Sequence, residues 1–211
     1  MKMLKKAAAV LLAAAMSLVM LTACGGGSGS TTQYKLAKIV SESQKTGQMN
    51  MDVVAPVGAN GANVRVRSAS NGEKQVIFMG REDGVGYWLM KANNTVYTLQ
   101  ESENREDKPI WVKPEGDMAI NLAKQASSVV PSQSSLSNIK VNPEYEVKDK
   151  GTYYAEIVTS EGQEVAYCFK GDAVKYMVIT TNKQTVVAEV KDFSAKLPED
   201  VTFLFDLKVV G

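Results

Sequence analysis

Two stretches of this chain alternate apolar and polar residues in short runs, broken about every ten to twelve residues by turn dipeptides, and that pattern admits little besides antiparallel sheet. Met49-Asn50-Met51-Asp52-Val53 alternates cleanly, as does Ala62-Asn63-Val64-Arg65-Val66-Arg67-Ser68. Residues 74–80, 87–91, 95–100 and 109–113 continue the first meander. Its breaks are Asn60-Gly61, Asn71-Gly72, Asp83-Gly84 and Asn93-Asn94, residue types that accept positive φ. Asn71-Gly72, set between two alternating runs, is the strongest hairpin signal. A second meander begins near Tyr145, with strands expected over 152–159, 164–170, 173–180 and 185–191. Residues 197–203 read as a short extended closing segment.

Two segments have the period of a helix instead. Thr31 or Thr32 could cap a helix over 33–45, in which Leu36, Ile39 and Val40 form one apolar stripe and Gly47 ends it. A second helix is expected from Asp117 toward Val130, stopped by Pro131, with a Ser/Gln-rich loop at 132–137. The sum is an α+β domain. Half-polar strands leave one sheet face solvated, and single-striped helices are natural covers for the other.

The N-terminus reads as an address. Lys2, Lys5 and Lys6 precede an apolar stretch over 7–21, too short for a comfortable membrane span and suited to a secretory signal. It ends in Leu21-Thr22-Ala23-Cys24, followed by Gly25-Gly26-Gly27-Ser28-Gly29-Ser30. These residues resemble the lipobox of bacterial lipoproteins, and the resemblance implies cleavage after residue 23 and a diacylglyceryl group on Cys24. The expected organisation is a signal peptide at 1–23, a lipidated cysteine and Gly/Ser tether at 24–32, and one domain at 33–211. The membrane partner would then be the outer face of the bacterial cytoplasmic membrane. Three of the 24 basic residues lie in the signal, which leaves 21 against 23 acidic ones, a net of −2.

Composition excludes much chemistry. The 211 residues include no histidine, which removes Ser-His-Asp and Cys-His nucleophile machinery and imidazole metal sites. Two cysteines cannot build a four-ligand zinc site, and Cys168 lies in an apolar strand as a small core residue. A near-balanced charge lacks the broad basic field of a nucleic-acid binder. Ser137-Asn138-Ile139-Lys140 and Lys45-Thr46-Gly47 match SxxK and KTG, but in reversed order and with KTG at a helix end, so both are coincidences. The acidic residues Glu101, Glu103, Glu106 and Asp107 interleave with Arg105 and Lys108, without the glycine of a calcium loop, and read as a solvated connection. Asn93-Asn94-Thr95 fits a glycosylation sequon that a bacterial protein would leave empty. No cofactor, metal site or enzyme activity is expected.

The order of elements resembles the LolA/LppX-like superfamily of envelope lipoproteins and lipoprotein carriers. It runs from a lipobox and first helix through a meander with a Tyr/Trp-rich hairpin (Gly86-Tyr87-Trp88-Leu89-Met90, Thr95-Val96-Tyr97-Thr98-Leu99, Ile110-Trp111-Val112). An interrupting helix, a second meander and a closing Phe193-Ser194-Ala195-Lys196-Leu197-Pro198 follow. The resemblance implies a curved, incomplete antiparallel barrel of about ten to twelve strands, covered by two or three helices. It also implies an apolar cavity that holds lipid in some members. A tethered chain departs from the soluble carriers, which argues against free shuttling.

Candidate cavity-lining residues are Met49, Met51, Met79, Tyr87, Trp88, Met90, Tyr97, Trp111, Met118, Tyr167, Phe169, Tyr176 and Met177, adaptable or aromatic side chains on the strands and second helix. For any single one of them ordinary core packing is the simpler account. The expected function is a membrane-anchored extracytoplasmic lipoprotein that binds a hydrophobic or lipid ligand. The alternative is an envelope protein-interaction or sensory module with no small-molecule ligand.

Overall fold

A computed structural model of the chain describes residues 34–57, 62–101, 108–117, 121, 139–160, 162–181 and 184–210. Cys24, the tether, Met118 and nearly all of the expected second helix lie outside the described residues. Helix α1 spans Lys35–Thr46. The first meander is β1 (Met49–Val57), β2 (Ala62–Ser70), β3 (Lys74–Arg81), β4 (Gly86–Ala92), β5 (Thr95–Gln100) and β6 (Ile110–Val112). The second is β7 (Lys140–Val147), β8 (Gly151–Ser160), β9 (Gln163–Lys170), β10 (Ala173–Thr181) and β11 (Gln184–Ser194). A short helix α2 (Glu199–Thr202), a 3-10 turn over Phe203–Asp206 and β12 (Val209–Val210) follow.

The twelve strands among the described residues join one sheet in the order β12-β6-β5-β4-β3-β2-β1-β11-β10-β9-β8-β7. Every pairing is antiparallel except β12 with β6, and β12 and β7 are free edges, so the sheet is an unclosed, curved half-barrel. The two meanders meet where β1 pairs β11, with a register shift at Asp52/Val53. Because consecutive strands alternate in direction, their connections gather at two ends of the sheet. The 71–73, 93–94, 148–150 and 171–172 turns share one end, and the 82–85 turn lies at the other.

Local chemistry explains the turns. Asn71 Oδ1 accepts from the Glu73 and Lys74 amides at 3.2 and 2.8 Å, while Gly72 adopts φ +90°. Asn93 and Asn94 both take positive φ, 47° and 62°, the geometry that closes a two-residue hairpin along the twist of its strands.

Three expectations need correction. Residues 197–203 are not an extended closing segment. After Pro198, Glu199 and Asp200 occupy the first turn of a helix, and Val201, Leu204 and Phe205 are spaced to bury one side of it. The second meander begins earlier than Tyr145, at Lys140, because Pro143 sits on an edge strand where its missing N–H costs no ladder bond. The N-cap of α1 is Tyr34, which makes no side-chain cap bond; its cap comes from a distant strand.

Candidate functional site

Each strand presents alternate residues to opposite faces of the sheet, and the two faces have different chemistry. On one face α1 packs through Leu36 and Val40 onto Met49, Met51 and Val53 of β1, Val66 of β2, Ile77 and Met79 of β3, Tyr167 and Phe169 of β9, Met177 of β10 and Phe193 of β11. This helix face holds four methionines in adjacent or near-adjacent strands. Tyr167 and Phe193 rings lie 5.9 Å apart within it, and Tyr154 and Phe169 rings 6.2 Å apart. Burial raises the Tyr167 hydroxyl far above its ordinary range.

Among the described residues Glu156 is the one carboxylate fully buried on this face. It projects from β8 beneath the N-terminus of α1 and accepts from the Lys35 and Leu36 amides, both at 2.7 Å, and from the Tyr154 hydroxyl at 3.1 Å. It therefore satisfies two amides that the first turn of a helix leaves without partners, and places negative charge at the positive end of the helix dipole. The Lys35 ammonium closes the arrangement, bonding the Gly171 carbonyl, pairing with Asp172 at 3.4 Å and lying over the Tyr154 and Phe169 rings at 5.4 and 5.6 Å. A carboxylate on the inward phase of Tyr154-Ala155-Glu156-Ile157-Val158 is the signal that the sequence carried for this residue.

The other face carries two separate apolar clusters. Trp88, Met90, Tyr97 and Trp111 join Val76 under Val201, Leu204 and Phe205 of the C-terminal segment. The Trp111 indole donates to the Leu204 carbonyl at 2.8 Å. Farther along, Tyr145, Tyr153 and Tyr176 cover Ala155, Ala166 and Cys168. Burial pushes the Cys168 thiol up to about 12, consistent with an inert core residue. Between the clusters runs a polar stripe. The Arg65 guanidinium holds Asp52 at 2.9 and 2.5 Å, and Arg67 holds Asp200 at 2.6 and 3.0 Å. Hydrogen bonds from Arg67 keep the Asp200 carboxyl below its usual range.

The structure thus divides the sequence candidates. Met49, Met51, Met79, Tyr87, Tyr167, Phe169 and Met177 share the helix face, whereas Trp88, Met90, Tyr97, Trp111 and Tyr176 point the other way. Met118 lies outside the described residues. Most of the helix-face set is buried, but Tyr87 remains 44% exposed, and its hydroxyl donates to the Met79 sulfur at 3.4 Å. The apolar layer therefore reaches solvent at β3–β4. Backbone contact is close there. A side chain on Gly80 or Gly86 would collide with the facing strand and the Phe78 ring.

The surface pockets among the described residues are not lined by this layer, and one of about 600 Å³, lined by Asn63, Arg81, Glu82 and Asp83, sits at the β3–β4 turn. One of about 430 Å³ is lined by Ile110, Phe203 and Leu207 at the β6–β12 edge, and another of about 190 Å³ lies between Tyr153 and Tyr176. Among the described residues no cluster of three carboxylates or thiols could hold a metal ion, and no helix is long and apolar enough to cross a membrane.

No family model matches the chain, and no curated protein matches it. Solved structures do. The lipoprotein LppX of Mycobacterium tuberculosis aligns with 78% of this chain and 95% of its own length, at 10% identity and a TM-score of 0.39. LprF of Mycobacterium bovis covers 82% and 97%, at 15% identity and a TM-score of 0.34. A LolA superfamily protein from Nitrosomonas europaea covers 73% and 88%, at 11% identity and a TM-score of 0.31. Likeness this distant assigns no function.

Proposed function

We propose that this chain is a membrane-anchored extracytoplasmic lipoprotein that takes up an acyl chain or similar hydrophobic ligand against the helix face of its sheet. The observation that carries this reading is the methionine-rich layer formed by Met49, Met51, Met79 and Met177, reaching solvent beside Tyr87. Methionine side chains are unbranched and polarizable, so such a layer re-packs around an inserted chain more readily than one of β-branched residues. Burial of acyl surface would drive uptake, at about 25 cal/mol per Å² before ordering costs are subtracted. Trp88, Met90, Tyr97, Trp111 and Tyr176 take no part in this reading. They build the opposite face.

The Leu21-Thr22-Ala23-Cys24 sequence supports anchoring, with Cys24 as the acylated residue and the Gly/Ser run as tether. A photoreactive fatty acid tests the ligand site. Irradiated with the full chain, it should label peptides containing Met79, Tyr87 or Met177. Labelling restricted to the C-terminal segment or the tyrosine cluster would reject the helix face as the site and favour a module that binds a protein.

A further inference from the structure

Summed over the mature chain, the charge is slightly negative, yet lysines are in excess at one end of the sheet. The turn end of the sheet that receives the N-terminus of α1 carries exposed Lys148 and Lys150 on the β7–β8 turn and exposed Lys170 and Lys175 around the β9–β10 turn. Lys38 is exposed on the first turn of α1, and the carboxylates at these turns are Glu146, Asp149 and Asp172, the last paired with Lys35, with Glu189 beside Lys170 and Lys175. The two turns are neighbours, because β8 pairs β9 through Tyr154 and Phe169 just inside them. At the opposite end of the sheet the described charges balance, with Glu82, Asp83, Glu101 and Glu164 against Arg81, Lys108, Lys140 and Lys191, the last paired with Glu82.

The basic end is also where the chain leaves for Cys24. Lys35 is fixed there by Glu156 and Gly171, and Tyr34 follows Cys24 by only ten positions. Ten residues span at most about 35 Å when fully extended. On the reading that Cys24 is acylated, this end is held within that distance of the bilayer.

We infer that the lysine-bearing turns around the start of α1 form a docking surface for anionic phospholipid headgroups, which orients the half-barrel with this end toward the membrane. The acyl anchor supplies attachment and the lysines supply orientation, a division of labour common to proteins with one lipid signal and one basic patch. Each lysine close to an anionic surface favours the docked orientation by roughly fivefold, and the effect fades beyond a Debye length of about 10 Å at 0.1 M salt.

The inference rests on the anchored reading, and the experiment separates the two. Full-length acylated protein carrying either Ala173→Cys, at the basic end, or Gln184→Cys, at the far end, is labelled with a donor fluorophore. Cys168 is buried and does not compete. Energy transfer to an acceptor on lipid headgroups is then compared in vesicles of phosphatidylcholine alone and of phosphatidylcholine with phosphatidylglycerol. The ratio of transfer at 173 to that at 184 should rise by about twofold or more on anionic vesicles. It should fall back at high salt, and when Lys148, Lys150, Lys170 and Lys175 are changed to Gln. A ratio independent of lipid charge in an acylated chain overturns the docking surface alone. A chain whose denatured mass shows no acyl group overturns both the anchor and the orientation built on it. Preference for a soluble anionic polymer over the vesicle surface also overturns the inference.

Discussion

The two faces of this sheet use the same residue types for different ends. On the helix face the directional bonds lie at the margins, from the Tyr87 hydroxyl to Met79 and the Tyr154 hydroxyl to Glu156, and the covering helix is held at its end by Glu156. On the opposite face, Trp111 is pinned to the Leu204 carbonyl and Arg67 to Asp200, so the cover is bonded to the sheet along its length. The difference teaches that aromatic and methionine content does not by itself mark a binding surface. What matters is whether each side chain has a directional partner that fixes one packing. A layer without such partners can rearrange, and a layer with them resists it.

Breaking the bonded face should have the largest effect. Trp111→Ala removes a fully buried indole and strands the Leu204 carbonyl, and should destabilise the chain by about 3–5 kcal/mol in urea unfolding. If the C-terminal segment is an independent flap, the loss will be under about 1 kcal/mol and the helix face alone will carry stability.

Glu156→Ala breaks the helix face at one atom group. It leaves the Lys35 and Leu36 amides without their acceptor and should cost about 3 kcal/mol. Amide exchange should accelerate in α1 and leave Trp111 protected. Equal acceleration on both faces would show that the two faces unfold as one unit.

Met177→Leu sharpens the comparison without breaking it. A volume-conserving swap should cost less than about 1.5 kcal/mol of stability, while uptake of a fluorescent fatty acid falls because the branched side chain re-packs less freely. Met90→Leu, on the bonded face, should leave uptake unchanged.

The smallest effect concerns acid. The Asp200 carboxyl titrates below its ordinary range because Arg67 hydrogen-bonds its charged form. Its contribution is therefore present above the unfolded value near 3.8 and is lost as pH falls through the lower folded value. The pair is partly solvated and worth about 0.5–1 kcal/mol. Asp200→Asn should remove that acid dependence and shift the midpoint only slightly, as read by urea titrations at pH 3 and pH 7.

Much of this architecture was legible in the residues. Alternation and turn dipeptides located all but the edge strands, since Met49-Asn50-Met51 or Val64-Arg65-Val66 can satisfy both water and core only as strands. β7 escaped because Pro143 argues against a strand unless the strand is an edge. β12 escaped because two valines carry no period. The α2 turn was hidden by the expectation that Pro198 opens extended chain, although proline equally precedes a helix. The candidate cavity set pooled neighbours such as Tyr87 with Trp88 and Tyr176 with Met177, which a strand must send to opposite faces. Alternation already separated those pairs. Which face α1 covers was not legible, because it depends on a carboxylate some 120 positions away in the chain.

The central claim is that the helix face holds a hydrophobic ligand, and mass spectrometry of the full chain from membranes tests it most directly. Spectra under native conditions, set against denatured spectra, separate bound lipid from any covalently attached acyl group. The account predicts an additional non-covalent mass in the range of a lipid, diminished in Met177→Leu and retained in Met90→Leu. A native mass equal to the denatured acylated mass, from a fully folded sample, would contradict it.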